Sequence, residues 1–169
     1  MSGNCFYKES ISSKRTEALF VVLAVLFLLL SIWRVRISGF GFLTVLFLSL
    51  FGFFVFYLLN YRVLTILMNR ESLELRFGVF SWTVPWSGIE GAFVDDTPIG
   101  RIGGAGIHFT MINRRYRVYL NFLEFPRVVL TLKKPRGLVR DVAFSTSRPS
   151  EVLDAVAQRS GRSEAAAES

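Results

Sequence analysis

The chain has 169 residues, 51% of them apolar, with 20 Lys and Arg against 13 Asp and Glu for a formal charge of +7. A single cysteine, Cys5, excludes an intramolecular disulfide and any multi-cysteine metal site, so folding requires no oxidising compartment. Between Arg62 and Arg159 there are 14 Lys and Arg against 9 Asp and Glu, which predicts one small basic domain whose natural partner beside a membrane is an anionic headgroup.

Residues 1–15 read as an N-terminal segment, with Lys8, Lys14 and Arg15 as its cations and Cys5 as an unmodified thiol. Two apolar runs follow, Ala18 to Trp33 and Ile37 to Tyr61, interrupted only by Arg34, Val35 and Arg36. As helices they span about 24 Å and about 37 Å, against a hydrocarbon core of roughly 30 Å. Residues 16–61 are therefore expected to form a two-helix transmembrane hairpin. A cleaved signal peptide fits poorly, because the first run ends in Trp33-Arg34-Val35-Arg36 rather than small residues and a second span follows at once. A water-soluble hairpin fits no better, since neither run has a polar face.

Five cations, Lys8, Lys14, Arg15, Arg62 and Arg70, flank the hairpin and only Arg34 and Arg36 lie in its turn. That imbalance predicts a cell-membrane protein of two spans with both termini in the cytoplasm. Neither run contains an ionisable Asp, Glu, Lys, Arg or His, so no proton relay or ion pathway is expected. Gly39, Gly41, Ser49 and Gly52 are the small residues available for helix packing.

Residues 62–160 alternate apolar and polar positions and are expected to be mainly β. Leu73, Leu75, Phe77 and Val79 share one face of a strand, opposite Glu74, Arg76 and Gly78. Pro85, inside Trp82 to Trp86, demotes that piece to an edge or strand end. Ala92 to Asp96 is a further short strand, and Thr97 to Gly106 reads as a glycine-rich loop. Two hairpins follow: Ile107 to Asn113 with Tyr116 to Leu123, and Arg127 to Lys133 with Val139 to Ser145. Val152, Leu153 and Val156 mark one helix begun near Pro149 and closed by Gly161, and residues 161–169 read as a disordered tail.

Seven or so strands and one C-terminal helix suit a small barrel or orthogonal sandwich. The stretch YRVLTILMNRESLELRFGVFSWTVPWSGIE and the closing AFSTSRPSEVLDAV resemble a bacterial pleckstrin-homology-like domain of the kind found beside transmembrane hairpins. The resemblance covers residues 61–160 and implies a fold used to bind lipid headgroups, peptides or proteins, without a transferable site.

The glycine loop lacks the Gly-Lys-Ser/Thr of a P-loop and precedes a strand, unlike a dinucleotide fingerprint. With Arg101 it retains the means to bind an anion through backbone N–H groups. Asp95 and Asp96, adjacent on a strand, face opposite ways and make no acid/base pair. His108, the single histidine, reads as structural, and no metal site, cofactor or activated nucleophile is expected.

Arg101, Arg114, Arg115 and Arg117, with Lys133, Lys134 and Arg136, crowd the loop and two hairpin tips. If the tips share one end of the domain, they form a cationic rim for lipid phosphates. Nucleic acid is not expected, since no recognised motif accompanies Tyr116 and Tyr119. The reading is a non-enzymatic membrane protein whose cytoplasmic β-domain binds anionic headgroups or recruits a partner. The alternative is a scaffold subunit that binds a membrane-complex protein through a β edge.

Overall fold

The computed structural model describes residues 5–165. It divides into a helical hairpin, Ser13–Arg62, and a β-domain drawn from the segment ending at Ser12 and the segment beginning at Val63.

In the hairpin, α1 spans Lys14–Ser38 and α2 spans Phe42–Asn60. Ser13 caps α1, its hydroxyl accepting the Thr16 N–H at 3.0 Å, which satisfies one of the amides a helix start leaves without a partner. Arg62 closes on Glu17 at 2.7 Å. The turn does not fall at Arg34–Arg36, as the charges suggested. Arginine is a good helix former, and α1 runs on to Ser38 and stops at Gly39, whose φ of 72° only glycine adopts freely. The second helix consequently starts at Phe42 rather than Ile37.

Aromatic rings meet between the two helices, and Ala24, Ser31 and Thr44 are buried there with Phe20. Phe27 stacks on Phe54 at 5.6 Å and Phe20 meets Tyr57 edge-on at 5.2 Å. Ser49 and Gly52 are exposed instead, and a Cβ built on Gly52 would meet nothing within 4 Å. Both helices are long and apolar enough to cross a membrane, with only 11% and 6% of their most apolar windows buried within the protein. So much uncovered apolar surface is what a contact with a membrane or with another protein would cover.

The β-domain holds two sheets. The first has the order β1-β2-β3-β4, with β1 Tyr7–Ser12, β2 Val63–Met68, β3 Ser72–Phe77 and β4 Phe80–Pro85, all antiparallel. Period-two alternation turns Leu64, Ile66, Met68, Leu73, Leu75 and Phe77 inward, and each is fully buried. Val79, expected on the same face, is 71% exposed, because Gly78 at φ 63° ends the strand in a turn. β4 is an edge strand, as Pro85 required.

Strand β1 is the element absent from the sequence reading, and it comes from the segment taken as separate from the domain. It pairs with β2 from Tyr7 opposite Met68 to Ser12 opposite Val63. Glu9, only 4% exposed, accepts four hydrogen bonds: Tyr7 Oη at 2.8 Å, Thr146 Oγ1 at 2.6 Å, and Ser147 through its backbone N at 2.7 Å and its hydroxyl. Burial alone would raise the Glu9 pKa, but these bonds outweigh it and hold the carboxyl below its ordinary value. Burial, together with Glu9, pushes the Tyr7 phenol up to about 12.

The second sheet has the order β5-β8-β9-β7-β6, from β5 Ile89–Val94, β6 Gly106–Ile112, β7 Arg115–Asn121, β8 Arg127–Arg136 and β9 Val139–Ser145. Both expected hairpins form, but β9 inserts between β7 and β8 and runs parallel to β7. Val118, Leu120, Val128, Leu130, Val142 and Phe144 are fully buried. Phe122 meets Phe77 of the first sheet edge-on at 5.3 Å. The glycine loop is not wholly irregular: Ile99–Ile102 forms one helical turn, α3, that buries Ile102. Helix α4, Pro149–Ala165, buries Val152 and Val156 and packs on β5, β8 and the 3₁₀ turn Trp86–Gly88. Its backbone continues past Gly161 across residues assigned to a tail. Residues 166–169 of that tail lie outside the described residues.

Candidate functional site

The cationic residues singled out by sequence separate into an open tip and a covered ladder. Parallel pairing sets Tyr116 opposite Val139, which in turn lies opposite Arg136. The β6–β7 and β8–β9 turns therefore share one end of the sheet. Residues 112–116 and 132–140 together carry Arg114, Arg115, Lys133, Lys134, Arg136 and Arg140, and no acid. Arg114, Lys133, Lys134, Arg136 and Arg140 are exposed, as are Tyr116 and, at 73%, Leu138. Arg101 is exposed on α3.

Arg117 is the exception, and it does not belong to the rim. It is 5% exposed, its Nη1 donating to Asp95 at 3.1 Å and to Tyr119 Oη at 3.1 Å, and its Nη2 to Asp141 at 3.2 Å. Arg127 adds Nε to Asp95 at 2.9 Å and donates to the Thr97 carbonyl. Arg115 Nε approaches Asp141 at 3.3 Å without the alignment of a hydrogen bond. The result is an alternating ladder, Arg127–Asp95–Arg117–Asp141–Arg115, across one face of the sheet. Burial would raise the Asp95 pKa, but hydrogen bonds from Thr97 and Arg127 prevail and lower it. Asp96 is exposed, so the two adjacent acids do face apart.

His108 has a structural role beside the ladder. Its Nε2 lies 3.0 Å from the Gly104 carbonyl and 2.9 Å from Asn121 Oδ1. Both are acceptors, so Nε2 carries the proton, and the ring pins the glycine loop to β6 and β7. Among the described residues no group of three His, Cys, Asp or Glu is placed to hold a metal ion.

A cleft of about 520 Å³ lies between β4 and the end of β8. The β8–β9 register explains it: Thr131 pairs with Asp141 and then Arg136 with Val139, so residues 132–135 stand against Arg140 alone. This wide bulge throws Lys133 and Lys134 out of the ladder toward β4. Arg136 lies over the Trp82 ring at 4.9 Å and donates to the Thr83 carbonyl at 3.3 Å. Trp82, Val84, Pro85 and Leu132 supply the apolar wall. The sequence reading listed the three cations and marked Pro85 at a strand end, but it did not bring them together.

Compared with family models, curated proteins and solved structures, the chain matches none of them.

Proposed function

We propose that this is a non-enzymatic integral membrane protein of two spans whose pleckstrin-homology-like β-domain lies on the cytoplasmic side and engages anionic lipid headgroups through the basic tip. The carrying observation is the parallel β7–β9 pair, which collects two acid-free turns at one end. Each cation near an anionic surface contributes on the order of 1 kcal/mol. Exposed Leu138 and Tyr116 add apolar and amphipathic groups suited to the headgroup boundary. A hairpin topology is supported by β1 pairing with β2, since the segments before and after the two helices then occupy one compartment. Tethering keeps the tip at high effective concentration beside the bilayer, so individually weak contacts suffice.

Hydrogen exchange of the full chain in nanodiscs tests this. Anionic lipid should slow amide exchange in residues 112–116 and 134–140 relative to zwitterionic lipid, and moderate salt should reverse the effect. Arg114→Glu with Arg140→Glu should abolish it. Arg115 and Arg117 are left unchanged because both contact buried Asp141. Identical exchange in both lipids would reject the proposal.

The scaffold reading has its own support in β6, an edge strand with Phe109 61% and Met111 52% exposed. A protein strand added there would bury both. One stoichiometric partner co-purifying with the full chain, and lost in Phe109→Lys, would favour it.

A further inference from the structure

The cleft beside the tip has a different character from a charged surface, and three observations on it converge. Its volume of about 520 Å³ falls within the range of small-molecule sites, roughly 300–1,000 Å³. Its lining combines the cations Lys133, Lys134 and Arg136 with the apolar side chains of Trp82, Val84, Pro85 and Leu132. Trp82, which lines it, is 9% exposed, yet its indole N–H has no hydrogen-bond partner. Trp86, four residues on, donates its own indole N–H to the Asn69 carbonyl at 2.9 Å. A buried donor left unsatisfied is costly, and the ring that carries it forms part of the cleft wall.

From these features we infer that the cleft is a binding site for an anionic amphiphile, a molecule with a phosphate head and an apolar body. The head meets the cations and supplies the acceptor for Trp82, while the body lies on Trp82, Val84, Pro85 and Leu132. An added peptide strand suits the place less well. Pro85 has no N–H to offer on the β4 edge, and the Arg136 guanidinium already occupies the Thr83 carbonyl. A bare inorganic anion would leave the apolar wall uncovered. The site does not depend on the tip reading, because a soluble ligand can fill it without any bilayer contact.

The test uses the full chain in zwitterionic nanodiscs, titrated with hexyl phosphate while the indole N–H resonances are followed by NMR. The signal missing from Trp82→Phe should move and saturate. Glycerol phosphate should bind about tenfold more weakly for want of apolar burial. Trp82→Phe, which keeps an aromatic ring and loses the donor, should weaken hexyl phosphate about tenfold, read from the other cleft resonances. Lys133→Gln with Lys134→Gln leaves the wall in place and should weaken it comparably. If nanodiscs containing phosphatidylglycerol move the Trp82 signal beforehand and suppress the titration, the natural ligand is a bilayer lipid; if they do not, it is soluble, and both results uphold the site. An unmoved Trp82 signal, an equal response to hexanol, or undiminished affinity in both variants would overturn it.

Discussion

Arg114 and Arg117 are three residues apart on one hairpin and occupy opposite environments. Arg114, in the turn, is exposed at φ 62°. Arg117, one strand position inward of Tyr116, is buried between two aspartates. The ladder and the Glu9 latch consist of charges that the fold has desolvated and must keep paired. At the tip Arg114, Lys134 and Arg140 remain exposed. Buried pairs are costly to break but add little net stability beyond an apolar replacement, whereas turn charges can change with little cost to folding. The covered charges are thus tied to the fold, whereas the open ones are those that the proposed lipid contact uses.

The largest effect should come from taking away β1. A chain lacking residues 5–12, assayed for β-domain unfolding, should lose several kcal/mol, since the burial of Ile11 is lost and Thr146 and Ser147 lose Glu9. Full retention of stability would show that the latch contributes nothing. Next, Asp95→Ala should cost about 3–5 kcal/mol, because it leaves Arg117 and Arg127 buried without their shared partner. Arg114→Ala should change stability by no more than about 0.5 kcal/mol. Equal losses at the two positions would erase the distinction drawn here.

The smallest effect is a pH dependence. Glu9 has its folded pKa depressed below the ordinary glutamate value of 4.5, so its contribution is present above that pH and is lost as pH falls toward the folded value. Thermal unfolding should therefore show stability declining on acidification below about pH 4.5. Glu9→Gln, less stable at neutral pH, should show a shallower decline. An unchanged slope would mean that other carboxylates dominate.

Much of this was legible before the structure. Alternation marked Leu73, Leu75 and Phe77 as inward-facing, and Pro85 marked an edge. Ile107 to Asn113 and Tyr116 to Leu123 were readable as a hairpin because strand periodicity and a polar turn are local properties. Arg117 was misplaced because charge near a turn was taken as solvated. Its alternation with Tyr119 and Asn121, which are buried on the face of β7 opposite Val118 and Leu120, was the available sign. Glu9 carried no sign at all, since its partners Thr146 and Ser147 lie far along the chain.

By itself, then, the sequence determined two apolar helices, a period-two domain and a positive balance, all consequences of local patterning that neighbouring residues enforce. Only the tertiary structure decided which charges are buried, that residues 7–12 belong to the domain, and that the two hairpin tips share an end. Those outcomes depend on strand order, and strand order is set by long-range pairing whose energy is spread over many contacts rather than recorded at any one residue.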